Sequence, residues 1–348
     1  MQKQQKNKVI TIYDIAKEAG VSPSTVSRVL TNNVNVRAEK KEKIQKIIDK
    51  YNFKPNALAK GLSDTKSKVI GVLAADVRNP FYAEIFVACE EAAIEAGYTV
   101  LLSNSLGEIQ KEIEQLEMLN QQKVDAIIQF GGKVDDIVSN QKYVDKVNSL
   151  ITRIPMIITG RLEGADCYKV QIDSFMAAEL LMEHLMGLGH RKIALIGGRR
   201  DVISTYDKYQ KYLELLRKYE IPYREEYVID GGYNFETGYG GMSKLLESKE
   251  PPTAVIAIND YAAAGVISSI KEHGLKVPED ISVVSYDNTK ITEIVTPKVT
   301  GIDYNYAVFG KQLVDTAIAA IEKREISKDQ WINPILVLKE STAEVKKN

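Results

Sequence analysis

The chain has 348 residues, of which 44% are hydrophobic and 27% charged, a composition typical of a globular protein large enough for two or three domains. It contains no apolar run of the roughly 18 residues that cross a bilayer, and its basic start, MQKQQKNKVI, lacks the apolar core of a secretion signal. The two cysteines lack CxxC spacing and the three histidines lack metal-ligand spacing; one disulfide is possible but unneeded in a chain of this size, and two buried thiols are favoured. We therefore expect a cytoplasmic protein without metal or cofactor.

Positive charge is concentrated at the start of the chain. Residues 1–68 contain 13 lysines and two arginines against six acidic residues, a balance of +9, so the remainder carries −10 to give the net charge of −1. A basic segment joined to an acidic body predicts that the basic segment binds a polyanion. Charge alone leaves a solubilising basic tail as the alternative.

Residues 11–30, TIYDIAKEAGVSPSTVSRVL, predict two short helices joined by a tight turn. Thr11 and Asp14 have the spacing of a capping box, and Gly20 supplies the positive φ that commonly ends a helix. Apolar spacing predicts inner faces made of Ile12, Ile15, Ala16 and Ala19 in the first helix and of Val26, Val29 and Leu30 in the second. A third helix is predicted to close a three-helix core with Ile44, Ile47, Ile48 and Tyr51.

The second of these helices has an outer face of short polar and cationic side chains. Ser22 is the predicted N-cap, and Pro23 takes the first helical position, where a missing N–H costs nothing. Short side chains permit close approach to a major groove, and arginine can donate two hydrogen bonds to guanine. The exposed face consists of Pro23, Ser24, Thr25, Ser27 and Arg28. The lysines of the third helix (40, 41, 43, 46 and 50) fit either phosphate contacts or plain solvation.

Residues 51–63, YNFKPNALAKGLS, predict a helix from Pro55 and Asn56 that is too short to be stable alone. Such a segment would fold when DNA and a second subunit supply contacts. Leu62 would lie at its end, either as an apolar wedge that kinks the minor groove or as a linker leucine packed on the next domain.

From Lys68 onward, apolar runs alternate with helical segments. The predicted strands are VIGVLAA (69–75), TVLLS (99–103), DAIIQF (125–130) and PMIIT (155–159) and, after KVQID, KIALIGG (192–198), YVIDGG (227–232), AVIAIND (254–260) and ISVVSYD (281–287). Apolar strands with helical crossovers predict parallel sheets covered on both faces, here as two α/β lobes. Ligands of such sheets bind beyond the carboxyl ends of the strands, so polar residues there are candidates.

The basic segment, through TIYDIAKEAGVSPSTVSRVL and FKPNALAKGL, resembles the DNA-binding head and hinge of the lac repressor family. The body continues the resemblance through DVRNPFY (76–82), GLGHRKIALIGG (187–198), AINDYAAAG (257–265) and VPEDISVVSYDN (277–288). The resemblance implies a helix-turn-helix head and a two-lobed, type I periplasmic-binding-protein-like α/β domain with parallel sheets. The candidate DNA-contacting residues are Thr11, Ser22, Pro23, Ser24, Thr25, Ser27 and Arg28 in the head, and Asn56, Ala59 and Leu62 in the hinge.

The resemblance also sets the expected domains and effector site. We expect a helix-turn-helix domain at 1–54, a hinge helix and linker at 55–67, and an effector domain at 68–340. Its N-lobe is expected at about 68–166 and 298–328, and its C-lobe at about 169–295 and 330–340. The implied effector-binding residues are Asn79, Phe81, Tyr82, Arg161, Tyr206, Lys208, Tyr233, Asn259, Asp287, Tyr304 and Tyr306. Simpler roles stay open for four of them: a turn cap for Asp287, a solvated charge for Arg161, and packing for Tyr304 and Tyr306.

Several residues depart from the family pattern. Lys208 replaces an arginine, and Lys211 replaces a glycine, while Gly160 replaces an aspartate before Arg161. Lysine is a point donor rather than a planar fork, so the first exchange alters how effector hydroxyls are bound. Loss of an acid at 160 beside Arg161 and Lys208 favours an anionic effector. In the head, Thr31, Arg37 and Lys40 also depart from the usual residues, which affects backbone contacts and operator sequence.

These features together predict a sequence-specific DNA-binding regulator, a repressor of carbohydrate metabolism genes. We expect a homodimer on a palindromic operator, controlled by a sugar, sugar acid or sugar phosphate between the lobes. An uptake protein with the same body fold is disfavoured by the basic head. An enzyme is disfavoured because the sequence has no GxGxxG after a strand, no GxxxxGK[ST] and no GxSxG.

Overall fold

The structure is a computed structural model that describes residues 10–30, 36–53 and 66–346. The chain divides into two compact units, residues 1–67 and 68–348. Among the described residues, no helix is both long and apolar enough to cross a bilayer.

The first unit is a three-helix domain made of α1 (Ile12–Ala19), α2 (Pro23–Leu30) and α3 (Ala38–Lys50). Ile15, Val26 and Ile44, one from each helix, have no exposed surface and form its core. The capping box predicted at the start of α1 is present, and Gly20 ends this helix with a φ of 71°.

Tyr51 was predicted to lie in this core, and that prediction is wrong. It follows the last residue of α3, so helical spacing no longer directs its side chain inward, and it is 37% exposed. Its hydroxyl instead donates a hydrogen bond to Glu18 Oε2 at 2.8 Å on the surface of the domain.

The second unit alternates strands and helices along the chain. The elements are β1 (Val69–Ala74), α4 (Pro80–Glu95), β2 (Thr99–Asn104), α5 (Ile109–Gln121), β3 (Ala126–Phe130), α6 (Gln141–Ile151), β4 (Met156–Ile158), β5 (Tyr168–Ile172), α7 (Ser174–Gly187), β6 (Ile193–Ile196), α8 (Ile203–Lys218), β7 (Val228–Ile229), α9 (Phe235–Leu246), β8 (Ala254–Ala257), α10 (Asp260–Glu272), β9 (Ser282–Ser285), α11 (Ile291–Ile294), β10 (Thr300–Asp303), α12 (Tyr306–Glu322), β11 (Asp329–Ile332) and β12 (Ile335–Val337).

These strands form two six-stranded sheets, one in each lobe. The first has the order β11-β5-β4-β3-β1-β2 and is parallel throughout. The second has the order β12-β10-β9-β8-β6-β7 and is parallel except for β12. The inner strands β3, β6, β8 and β9 are buried along their whole length, which explains why most of their residues are apolar.

The expected lobe boundaries need correction at all three crossings. Residues 169–172 were assigned to the C-lobe, but β5 pairs with β4 in the first sheet. Residues 298–303 were assigned to the N-lobe, but β10 pairs with β9 in the second. Residues 330–332 were assigned to the C-lobe, but β11 pairs with β5. The chain therefore crosses between the lobes after Ile172, Asp303 and Ile332, because backbone pairing with a distant strand decides where each segment belongs.

Candidate functional site: the head surface and the interlobe cleft

The outer face of α2 carries the predicted DNA-contacting residues. Val26 and Val29 are buried beneath it and Leu30 is half-buried, as their spacing predicts. Ser24 and Arg28 are exposed, whereas Pro23, Thr25 and Ser27 are half-buried. This leaves a polar surface of short side chains with one long cationic side chain, and such a surface can approach the edges of bases closely.

Three hydroxyl groups meet at the start of α2. Ser22 Oγ lies 2.8 Å from Ser24 Oγ and 2.9 Å from Thr25 Oγ1, and it accepts the N–H of Thr25 at 3.3 Å. Ser22 is therefore the N-cap. Hydroxyls beside the positive end of a helix dipole are suited to a backbone phosphate.

Thr11 is exposed and is held by its own capping box. Its hydroxyl donates to Asp14 Oδ2 at 2.6 Å, and its backbone N–H donates to the same oxygen at 2.9 Å. Lys50 of α3 donates a hydrogen bond from its Nζ to Glu18 Oε1 of α1 at 2.7 Å, and this bond lowers the pKa of Glu18. The predicted hinge contacts Asn56, Ala59 and Leu62 lie outside the described residues.

The second unit contains a cavity of about 1410 Å³ between its two lobes, beyond the carboxyl ends of the strands. Nine of the predicted effector residues line it: Asn79, Phe81, Tyr82, Arg161, Lys208, Tyr233, Asn259, Asp287 and Tyr304. A cavity of this size accommodates a small ligand together with ordered water.

Two predicted residues do not line the cavity. Tyr206 is 41% exposed and does not belong to the helical face of α8 that borders the cleft, which carries Ile203, Ser204, Asp207 and Lys208. The assignment of Tyr206 is therefore wrong. Tyr306 lies behind the cavity, and its hydroxyl donates to the carbonyl of Asp287 at 2.5 Å.

Asp287 is the acid at the floor of the cleft. It has a φ of 90°, an uncommon conformation for a residue with a side chain, and it is only 7% exposed. Burial raises its pKa to about 8, and nearby Asp260 adds to this shift. The neighbouring turn is capped by Asp260, which accepts the N–H of Thr289 at 2.7 Å and its hydroxyl at 2.8 Å, so Asp287 is not needed as the cap.

Lys208 is the buried cation opposite this acid. Its Nζ lies 4.1 Å from the ring centroid of Tyr286, and burial lowers its pKa, against the attraction of Asp287, Asp135 and Asp207. An amine can be held over the face of an aromatic ring without a hydrogen-bond acceptor at each of its N–H groups. Its N–H groups can therefore bind a ligand.

Polar side chains that position the cleft wall also have structural partners. Asn259 Oδ1 accepts the N–H of Ala262 at 2.9 Å, and its Nδ2 donates to the carbonyl of Tyr233 at 2.8 Å. The Tyr233 hydroxyl lies 2.8 Å from Thr205 Oγ1. Asn79 caps α4 by accepting the N–H of Phe81 at 3.2 Å. These groups are held in fixed orientations before any ligand arrives.

The aromatic wall of the cleft is equally well supported. Phe81 contacts Tyr82 and Tyr304 edge-on, with ring centroids 5.2 and 5.8 Å apart, and the Tyr82 ring stacks on Phe130. Tyr304 is almost wholly buried, so packing dominates its role although one edge reaches the cavity. Such a wall can cover the apolar face of a sugar ring.

Sequence reasoning missed several charged residues of the cavity: Asp76, Arg78, Lys133, Asp135, Asp136, Asp173, Arg199 and Asp207. Asp76 and Asp173 come just after β1 and β5, so the rule of strand ends could have found them. Arg78 pairs with Asp76 at 2.7 Å, and Lys133 pairs with Asp136 at 2.8 Å. Within the described parts of the chain, no cluster of three His, Cys, Asp or Glu side chains could hold a metal ion.

Comparison with known families assigns both units. Residues 11–56 match the model "Bacterial regulatory proteins, lacI family", and residues 182–342 match "Periplasmic binding protein-like domain". Catabolite control protein A of Priestia megaterium is 33% identical over 295 residues, which cover 84% of this chain and 87% of that protein. The HTH-type transcriptional repressor PurR of Erwinia tasmaniensis is 32% identical over 340 residues, covering 96% and 97%. The chain belongs to the lacI family.

A solved lac repressor dimer, bound to operator and the anti-inducer ONPF, is similar to this lacI-family protein over its whole length. It has a TM-score of 0.87 at 26% identity and covers 97% of this chain and 100% of that one. A lacI-family regulator from Enterococcus faecium with bound ribose has a TM-score of 0.70 at 25% identity, covering 80% and 100%. The lacI-family protein is therefore a DNA-binding transcriptional repressor, and these relatives are regulators rather than enzymes.

Proposed function

We propose that this lacI-family repressor controls genes of carbohydrate metabolism, and that a small polar effector bound in the interlobe cleft sets its affinity for DNA. The observation that carries the proposal is the cavity of about 1410 Å³, which combines a supported aromatic wall with Lys208 and Asp287. An apolar wall with a few fixed polar groups is the usual construction of a small-molecule site. The effector classes in question are a sugar, a sugar acid and a sugar phosphate.

The proposed contacts follow from this construction. Tyr82 and Tyr233 pack on the ring of the effector, while Asp287 accepts hydrogen bonds from its hydroxyls and Lys208 donates to its oxygens. Asn259 has one amide hydrogen beyond its structural bonds, which is available to the ligand. Because these residues come from both lobes, a bound effector favours one angle between the lobes over others.

We further propose that residues 1–54 are the DNA-binding part, 55–67 the linker and 68–340 the effector-binding part. The recognition surface of α2 spans few base pairs, so a homodimer on a palindromic operator is proposed, acting in the cytoplasm. Ser22, Ser24, Thr25, Ser27 and Arg28 would contact the operator. Effector binding would then alter the spacing of two heads, with a coupling of about 1–3 kcal/mol.

Selection from a random duplex library tests the DNA-binding part of this proposal. Purified protein should enrich one palindromic sequence and sediment as a dimer at the concentrations used. An Arg28→Ala variant run in parallel should lose preference at one base position of each half-site. Enrichment of no sequence over random competitor, with and without candidate metabolites, would reject the proposal.

A ligand screen tests the effector part. A bound effector stabilises the second unit by about 2.7 kcal/mol at 100-fold over its Kd. Neutral sugars, sugar acids and sugar phosphates are compared by thermal unfolding, followed by anisotropy titration of the selected operator with each compound that binds. A compound that stabilises the protein but leaves operator affinity unchanged would be a ligand without a regulatory role.

A further inference from the structure

Asp135 lies in a loop that is fixed from both lobes. Its N–H donates to the carbonyl of Gly132 at 3.0 Å, and its own carbonyl accepts the N–H of Ile203 at 2.7 Å. Ile203 begins α8, the helix that also carries Lys208. The backbone of Asp135 therefore joins the first lobe to the second at the edge of the cleft.

A buried acid behind the cleft holds this loop. Glu112 has no exposed surface, accepts the N–H of Lys133 at 3.1 and 3.2 Å, and accepts the amide of Gln129 at 3.0 Å. A Cβ on Gly132 would lie 2.0 Å from Glu112 Oε1, so the loop fits closely against this acid. Asp135 is thus positioned by interactions outside the cleft.

The side chain of Asp135 occupies the space next to Gly160. A Cβ at 160 would lie 2.4 Å from Asp135 Oδ1 and 2.1 Å from the carbonyl oxygen of Val134. No side chain fits there unless the loop moves. Glycine at 160 was expected to leave this wall of the cleft without an acid, and the structure instead places a carboxylate from residue 135 beside it.

The charge balance around Lys208 follows from this placement. Asp287, Asp135 and Asp207 all act electrostatically on its amine, so three acids share one buried lysine. Among residues 66–346, no donor makes a hydrogen bond to the carboxylates of Asp135 or Asp287, although both line the cavity. Carboxyl oxygens that line a cavity without a donor from the protein are available to a ligand hydroxyl, which can donate a hydrogen bond to them.

We infer that Asp135 is a specificity-determining residue of the cleft, and that with Asp287 and Lys208 it selects an uncharged polyhydroxylated effector over an anionic one. This inference rests on the proposed function, since it assumes that the cleft is the effector site. Burial raises the pKa of Asp135 to about 7 and that of Asp287 to about 8, so this part of the cleft already disfavours negative charge, and a phosphate or carboxylate group would add to it. A hydroxyl instead donates to a carboxylate and accepts from the lysine, so it satisfies both kinds of group.

The test is a matched set of sugars on the full chain, measured by thermal unfolding and isothermal titration calorimetry. The set is ribose with ribose 5-phosphate, and glucose and cellobiose with glucose 6-phosphate, glucuronate and glucosamine. The variants are Asp135→Asn and, as a control, Asp145→Asn, an exposed acid of α6 that bonds only Gln141 among the described residues. The unfolding temperature without ligand checks that each variant is folded.

We expect at least one neutral sugar to stabilise the wild type and its charged counterpart to bind at least 10-fold more weakly. Asp135→Asn should lower the affinity for the neutral sugar about 10-fold or more and reduce the ratio between its affinities for the neutral and the anionic sugar. Asp145→Asn should bind both as the wild type does. Binding of anions or glucosamine alone would overturn the inference and leave a sugar-derived effector standing. Equal losses of sugar affinity in Asp135→Asn and Asp145→Asn would show that Asp135 does not determine specificity. If no member of the set binds, the inference and the carbohydrate proposal are both rejected.

Discussion

Truncating the core of the DNA-binding head should impair its binding to the operator without disturbing the effector unit. Ile44 has no exposed surface and packs with Ile15 and Val26 at the centre of the three helices. Replacing a buried isoleucine by alanine costs about 2–5 kcal/mol. A domain this small has a net stability of only about 3–5 kcal/mol. Ile44→Ala should therefore remove most of the stability of the head and leave a large unfolded fraction at 25 °C, and operator affinity should fall with the folded fraction.

The assay can separate the two units because the chain has a single tryptophan. Trp331 lies in β11, so its fluorescence reports on the effector unit, whereas far-ultraviolet circular dichroism also records the head. Ile44→Ala should show a weaker helical circular-dichroism signal before the effector unit unfolds, and it should bind the operator more weakly. The unfolding transition recorded by Trp331 fluorescence should be unchanged. Gln45→Ala is the control, since Gln45 is exposed and bonds Asp49 on the surface. Wild-type operator binding by Ile44→Ala, with a normal helical signal, would refute the account of the head core.

Three further substitutions follow from the same structure. Arg28→Ala should weaken operator binding by about 1–3 kcal/mol in an anisotropy titration, and an unchanged midpoint would show that Arg28 reads no base. Thr11→Ala removes the capping box of α1 and should lower the stability of the head by about 1 kcal/mol in chemical unfolding; an unchanged midpoint would mean that the box is not needed. His190→Leu should cost about 1–3 kcal/mol, because the buried ring bonds Thr253 at 3.0 Å and Ser282 at 3.1 Å. Burial lowers the pKa of His190 below the ordinary 6.5, so its contribution is present above that pH and is lost as pH falls further. The difference between wild type and His190→Leu should therefore shrink below pH 6.5, and a constant difference would contradict this.

The existence of the strands and helices could be predicted because their cause is local. Strands such as β3 and β8 are buried on both faces, so most of their residues are apolar, and the first helix of the head is marked by its caps. Which lobe a strand joins is not a local property. The sequences of β5, β10 and β11 mix polar and apolar residues, and only pairing with distant strands assigns them to a sheet.

The same distinction applies to the cleft. Asp287 and Asn259 follow strands directly, so the rule that ligands bind beyond strand ends places them in the cavity. Asp135 lies in the loop that follows β3, and the position of this loop depends on Glu112 of α5, which is distant in sequence. Tyr206 and Lys208 lie on one helix, and resemblance alone could not tell which of them faces the cavity.

The central claim is that a ligand in the cleft of the second unit controls how the first unit binds DNA. The most direct measurement is operator affinity without effector and at saturating effector, paired with effector affinity with and without operator. The account predicts a change of about 5–150-fold in operator affinity and the same factor in the reciprocal experiment, because the coupling free energy is shared. Operator affinity that stays the same while the effector saturates the cleft would contradict it.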